Sequence, residues 1–221
     1  MKEMEKQKWP RTPHLPWSPG FTADDIISSL NRIESLKHII ITEKMDGENT
    51  TFCREYYHAR SLNATTHLLR DWCKSFWNSI RYMIPEGIRI SGENVYAKHS
   101  IYYTELESYF YGFGAYDEAG MLLSWKDTSQ IFHSMGIITV PILYEYQGDI
   151  TKENLRNICI NIEKELFKNP DKHEGYVVRN YNTFSLDDFQ DNVIKYVRKG
   201  HVDEDSDHWM HKEIVKNILK K

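Results

Sequence analysis

Residues 38–44, HIIITEK, form a β-branched run that ends on a lysine and breaks at once into the tight polar turn Met45-Asp46-Gly47-Glu48-Asn49. Branched side chains favour the pleated backbone, while Asp, Gly and Asn supply the conformational freedom of a turn. Strand character resumes in TTFCREYYHAR (50–60), so the spacing predicts a hairpin with Lys44 near its turn. A lysine so placed projects its amine into a cavity with a rigid base. Any fold for this chain must accommodate that amine.

Helical and strand periods alternate through the rest. TADDIISSLNRIESL (22–36) puts Ile26, Ile27, Leu30, Ile33 and Leu36 on one face, with Asp24 and Asp25 in the first turn, and predicts an amphipathic helix. Residues 64–84 repeat the spacing through Leu68, Leu69, Trp72, Phe76 and Ile80 until Pro85-Glu86-Gly87 stops it. Strands are expected at 88–96, 109–117, 121–125 and 137–144, with a short helix at 128–135 before Gly136. Thr151 opens a helix with Leu155, Ile158, Ile162 and Leu166 facing inward, which Asn169-Pro170 ends. Strands 174–179 and 193–198 and a final helix over 206–219 complete the pattern. The expectation is one α+β domain (21–200) of antiparallel sheets flanked by helices. An extended arm (1–20) rich in proline lays Trp9 and Trp17 on its surface, and a helical tail (201–221) follows.

A chain of 221 residues is long enough to bury a core without disulfide or metal staples. Its 28 basic against 32 acidic side chains give a formal charge of −4, which argues against nucleic-acid binding through a whole-surface positive field but leaves room for a local basic groove. Cys53, Cys73 and Cys159 are odd in number and widely spaced, so they read as reduced thiols in a cytosolic chain. The first residues lack an apolar signal region, and no stretch approaches the ~18 apolar residues of a membrane span. A soluble, cytoplasmic protein with no membrane partner is expected.

Lysine, with an ordinary pKa of ~10.4, is a nucleophile only once deprotonated, and burial, a nearby cation or a metal lowers that value. Other residues suit phosphoryl chemistry around it. Lys195, with Arg198 or Lys199, offers positive charge to an α-phosphate, and Glu174, ahead of a Val-Val strand, suits a hard divalent ion bridged to phosphate. Glu93 can accept hydrogen bonds from ribose hydroxyls; Phe113, or Tyr116 in its place, offers a stacking face.

The turn KMDGEN (44–49) resembles the KxDGxN motif of covalent nucleotidyltransferases. Five further stretches resemble that superfamily's motifs in its order: His58-Ala59-Arg60-Ser61, Ser91-Gly92-Glu93-Asn94, Tyr109-Phe110-Tyr111-Gly112-Phe113, His173-Glu174-Gly175-Tyr176-Val177-Val178-Arg179, and Val193-Ile194-Lys195-Tyr196-Val197-Arg198-Lys199. The resemblance covers 42–199 and, on Asn49 and the HARS and GEN sequences, points to ATP-dependent RNA ligases of the RNA ligase 2 group. It implies an ATP-grasp-like nucleotidyltransferase (adenylyltransferase) domain in which Lys44 takes AMP from ATP with Mg2+ or Mn2+. It further implies Arg60 at the nucleotide and, with Asn49, at an RNA 3′ end, Glu93 at the ribose, Phe113 at the purine and Glu174 at the nucleotide and the metal. Lys195, with Arg198 or Lys199, falls at the α-phosphate, and Arg179 beside the same pocket. RNA ends, in a nicked duplex, a single strand or an RNA–DNA hybrid, are the implied substrates, in a repair role beside a separate end-healing kinase/phosphatase or clamp protein. The 221 − 199 = 22 residues after Lys199 are too few for an OB-fold domain. An ATP-dependent DNA ligase, a guanylyltransferase, or a non-catalytic nucleic-acid-binding relative are the alternatives.

Overall fold

The computed structural model describes residues 4–62, 68–200 and 214–221. In it β1 (His38–Lys44) does not fold back on the strand that follows it in sequence. Ile39, Ile40 and Ile41 are all fully buried, and β1 is an interior strand with antiparallel neighbours on both sides, β8 (Ile142–Gln147) and β9 (Gly175–Asn180). With β11 (Val193–Val197) they form a four-stranded sheet of order β11-β9-β1-β8. β2 (Glu48–Phe52) belongs to a second sheet, between β3 (Tyr57–Ala59) and β4 (Arg89–Asn94). That sheet continues through β5 (Phe110–Tyr116), β6 (Met121–Leu122) and β10 (Phe184–Ser185), with β7 (Ile138–Thr139) parallel to β5. The expected hairpin is therefore a crossing between sheets. A strand with both edges paired has no ladder left to offer β2.

Alternation along β1 sends Ile39 and Ile41 to one face and Ile40, Thr42 and Lys44 to the other. On the first face, Leu155, Cys159, Ile162 and Leu166 of α3 (Lys152–Leu166) pack against Ile39, Ile41 and Val178. The Thr151 hydroxyl and Asn154 side chain cap α3 reciprocally, satisfying two of its orphan N–H groups. The second face looks into the gap between sheets, where Ile40, Met45, Val95, Tyr111, Trp125 and Val140 pack. α1 (Asp71–Ile80) and α2 (Trp125–Ser134) cover the outside of the second sheet, with Trp77, Ile80 and Phe132 on Phe52, Ile90 and Phe110. A short α4 (Phe189–Asn192) leads into β11.

Several elements differ from the periodicity reading. Of the helix expected at 22–36 only a 3-10 turn, Ile33–Ser35, exists, and Ile26 and Ile27 are 38% and 49% exposed. The backbone there is engaged elsewhere: His14 N–H donates to Ile26 O (2.6 Å) and Ser28 N–H to His14 O (2.8 Å). The arm in turn borders β11, through Lys195 N–H to Pro13 O and Leu15 N–H to Lys195 O, both 2.8 Å. It is inlaid rather than laid on, with Trp9 and Leu15 in the core. Of the last helix, residues 206–213 lie outside the described residues, and Ile214–Leu219 is extended, bridging Ala97 and Leu106. The strand expected at 137–144 divides into β7 and β8, with Pro141 between them, and 121–125 shortens to β6. The 64–84 helix, beyond residues 63–67 which are not described, comprises α1 flanked by 3-10 turns at Leu68–Arg70 and Arg81–Met83. All three cysteines are buried and free. No described helix is long and apolar enough to cross a membrane.

Candidate active site

Lys44 is the last residue of β1, paired in register with Gly175 at the start of β9. This places its amine 2.6 Å from the Glu174 carboxylate, with the two side chains 25% and 8% exposed. Gly175 permits the approach of the third strand: a Cβ there would lie 1.9 Å from Tyr196 O on β11. The turn after Lys44 is equally constrained. A Cβ on Gly47 would meet Asn94 O at 2.5 Å. Asp46 is 7% exposed, and its carboxylate accepts the N–H groups of Ser100 and Ile101 (2.8 and 2.7 Å) while its own N–H donates to the Tyr103 hydroxyl (2.9 Å). The nucleophile candidate thus stands on a fixed base.

Across the gap, Asn49 and Glu93 are direct cross-strand partners on β2 and β4. The Asn49 Oδ1 is buried and, among the described residues, makes no hydrogen bond. A native fold seldom leaves such an acceptor unpaired, and one on a cavity wall marks a place for a ligand donor. Arg60, just beyond β3, donates its backbone N–H to Asn49 O (2.9 Å), which keeps it beside the same wall. Phe113 is the extra residue of a β-bulge: Ser91 pairs with Gly114 and Gly92 with Gly112, leaving Phe113 without a partner on β4. Bulges re-aim side chains, and this one turns a ring into the cavity. Arg179 of β9 holds the bulge, donating to Phe113 O (2.9 Å) and to Leu123 O.

The electrostatics follow from burying opposite charges together. Burial opposes the charge on Lys44, but Glu174, Glu93 and Asp46 more than offset it and hold the amine above its ordinary range. Glu93 is pushed up to about 8 by burial, with Glu174, Asp46 and Glu48 adding and Lys44 opposing. Lys195 is lowered by burial and by Lys44, against the pull of Asp25, whose carboxylate is 3.7 Å away. Arg179 falls to about 9 through burial alone. Burial acts on both lysines, but the net lowering expected of the nucleophile is found at Lys195 and not at Lys44. Lys44 itself is held as an ammonium by the carboxylates around it.

One cavity brings together Lys44, Asn49, Arg60, Glu93, Phe113, Arg179 and Lys195, with Glu174 just beside Lys44. Four of the sequence candidates are not on its wall: Glu174 reaches it through Lys44, and three lie elsewhere. Tyr116 is wholly buried beneath Trp9, the Arg198 guanidinium donates to His173 O (2.9 Å), and Lys199 is exposed past the end of β11. Sequence reasoning missed Trp9, Thr12 and Trp125 on the wall and Asp25 as the partner of Lys195. Only the Pro-Trp composition of the arm hinted at the first two. The described residues contain no cluster of three or more His, Cys, Asp or Glu able to cage a metal. The donor set, a buried carboxylate at Glu174 with Glu93 across the gap, fits a hard divalent ion that draws its remaining ligands from phosphate and water.

The chain superposes over 87% of its length on an archaeal ATP-dependent RNA ligase, with a TM-score of 0.60, 15% identity and 48% of that chain covered. It matches a mutant Naegleria gruberi RNA ligase with ATP and Mn over 89% of its length (TM-score 0.54, 16% identity, 57% of that chain). The Naegleria gruberi RNA ligase with pyrophosphate gives 0.53, 16%, and 89% and 62% coverage. At such identities the likeness establishes the fold, that of a ligase nucleotidyltransferase domain. A sequence profile of RNA ligases matches residues 37–197, and the chain belongs to that family. It spans about half the length of the archaeal protein it resembles. A search of curated protein sequences gives no match.

Proposed function

We propose that the chain is an ATP-dependent RNA ligase working through a lysyl-AMP intermediate. The observation that carries this is Lys44, paired with Glu174 at 2.6 Å and facing Glu93, Arg60, Phe113 and Lys195 across one cavity. The deprotonated Lys44 amine attacks the α-phosphate of ATP, a P–N bond forms, the bond to the bridging oxygen breaks, and pyrophosphate leaves with the electron pair. A 5′-phosphate oxygen of RNA then attacks the same phosphorus, and Lys44 departs and regains its proton. The adjacent 3′-OH displaces AMP, losing its proton and closing the phosphodiester. Lys195 offsets charge on the α-phosphate, Glu93 takes the ribose hydroxyls, Phe113 stacks on adenine, and Asn49 with Arg60 receive the 3′ end. A Mg2+ or Mn2+ ion at Glu174 would supply charge neutralisation, relieving the carboxylate pull that keeps Lys44 protonated.

The family assignment and the likeness to RNA ligases bound to ATP and manganese, or to pyrophosphate, support this reading. Because sealing needs a 5′-phosphate and a 3′-OH, the reading fits repair of RNA ends to which a kinase has added the 5′-phosphate and from which a phosphatase has removed any 3′-phosphate. Incubation with ATP labelled at the α-phosphate and a divalent ion is expected to label wild-type protein and leave Lys44→Ala unlabelled. Label retained by the variant refutes the assignment. Sealing of nicked, splinted and single-stranded ends, with RNA or DNA on the 3′-OH side, then separates an RNA ligase from a DNA ligase, and label from GTP would indicate capping.

A further inference from the structure

The arm lies outside the 37–197 stretch that matches the RNA ligase profile, yet Trp9, Pro10 and Thr12 supply one wall of the cavity. Trp9 is 8% exposed and meets two rings edge-on, Phe113 at a centroid distance of 5.0 Å and Phe189 at 5.3 Å. It occupies space that β5 leaves empty. A Cβ on Gly114 would stand 2.6 Å from the indole, so the strand carries glycine where the arm crosses it. Phe113 is the bulged residue, so the sheet ladder does not fix its ring. Arg179 holds its carbonyl, and among the described residues Trp9 packs across the ring at a centroid distance of 5.0 Å. The arm itself is fastened on the far side of Trp9 by the paired bonds between Pro13, Leu15 and Lys195 and by Gly20 N–H to Val197 O (3.0 Å).

We propose that Trp9 is a positioning residue of the nucleotide site: its indole, packed edge-to-face with Phe113, sets the plane of the ring on which a purine stacks, and with Pro10 it closes the base end of the cavity. The ligand class, a purine nucleoside triphosphate, rests on the function proposed above; the wall does not. Ring edges carry positive and ring faces negative charge, so an edge contact orients a neighbouring ring as well as filling space. The arm thereby acts as a part of the site, and its strand contacts with β11 tie the base wall to Lys195.

The test compares Trp9→Leu, which keeps an apolar side chain but loses the ring, with Trp9→Phe, which restores a ring. Equilibrium dialysis gives the Kd for ATP, and the ATP dependence of the single-turnover α-phosphate labelling rate gives its half-saturating concentration (KM) and its limiting rate (kcat). Trp9→Leu is expected to raise Kd and KM together by roughly 3- to 10-fold, as an aromatic pair contact predicts, with kcat within about twofold of wild type; Trp9→Phe recovers most of the loss. Unchanged Kd and KM in Trp9→Leu overturn the proposal, as does a parallel fall of kcat and melting temperature with no rescue by Trp9→Phe, the behaviour of a mere core plug. Should Trp9→Leu not fold, Gly114→Ala displaces the indole through the 2.6 Å contact and must raise Kd in the same way; an unchanged Kd there also overturns it. Wild type that binds ATP without labelling defeats the lysyl-AMP reading and leaves the Kd comparison decisive. Wild type that does not bind ATP defeats both.

Discussion

Loss of the Asn217 side chain is expected to be felt at Lys44, through a chain of hydrogen bonds. Asn217 is 1% exposed. Its N–H donates to Tyr96 O (3.0 Å), its Nδ2 to Val95 O (2.8 Å), and its Oδ1 accepts from Tyr103 N–H (2.9 Å). The Tyr103 hydroxyl is the acceptor for Asp46 N–H, at the nucleophile turn. Asn217→Ala removes the two side-chain bonds and orphans the Val95 carbonyl and the Tyr103 N–H. At ~1–3 kcal/mol for each orphaned group the cost is about 2–6 kcal/mol. That cost falls first on the segment from 214 to 221, so the early event is its release and a loosening of 95–106 rather than global unfolding. Hydrogen exchange at Ser100 and Ile101, whose amides bind the Asp46 carboxylate, reads the loosening directly. Even the lower bound of ~2 kcal/mol predicts about 30-fold faster exchange there, and lysine labelling should lose at least about tenfold in kcat with KM for ATP nearly unchanged. Full protection of both amides together with unaltered kcat would refute the reasoning.

Gly175→Ala places a methyl 1.9 Å from the Tyr196 carbonyl; only backbone can yield, so destabilisation of about 3 kcal/mol in urea unfolding and loss of Lys44 labelling are expected. Arg179→Met deprives the Phe113 carbonyl of its donor, and KM for ATP in the labelling assay should rise by roughly 3- to 10-fold, one hydrogen bond's worth. Burial, then Lys195 and Lys44, lower His14 from 6.5 to about 4 against the pull of Asp25, with Ser18 Oγ at its Nδ1. The unfolded chain then binds a proton that the folded one lacks between about pH 4 and 6.5. Stability is full above that window and falls by at most about 3 kcal/mol as pH drops through it. His14→Asn should flatten the dependence, as measured by unfolding at pH 4.5 and 7.

What was legible in the sequence is what local chemistry decides. Lys44, Asn49, Arg60, Glu93 and Lys195 fall on one cavity because each sits in or beside a strand or turn whose local pattern is readable, whereas Phe113 reaches it through a bulge that the alternation does not show. The elements that failed are those whose hydrogen bonds go far along the chain. Residues 22–36 have helical spacing, but the backbone of Ile26 and Ser28 is claimed by His14; 214–219 have it too, but their groups are claimed by Lys98, Tyr103 and Leu106. Period alone cannot show a competitor 12 or more than 100 residues away. The missing hairpin has the same cause, since β1 reads as a strand from its own residues while its partners come from 142–147 and 175–180.

Two of these failures, at 22–36 and 214–219, lie in segments outside the stretch that matches the RNA ligase profile. The floor of the cavity, from β1, β2, β4, β5, β9 and β11, lies within the stretch that matches the RNA ligase profile, whereas Trp9, Thr12 and Asp25 lie before it and Asn217 beyond it. Each terminal segment spends its backbone groups on a strand or loop that carries a site residue, the arm on Lys195 and the last segment on the loop that holds Asp46. A strand edge left without these segments would expose unpaired N–H and C=O groups beside the cavity and loosen the residues it presents. The reactive residues are therefore set by local motifs, but their rigidity depends on contacts that only the folded chain makes. Substitutions in the arm and at Asn217 should accordingly change nucleotide affinity and turnover while every motif residue remains in place.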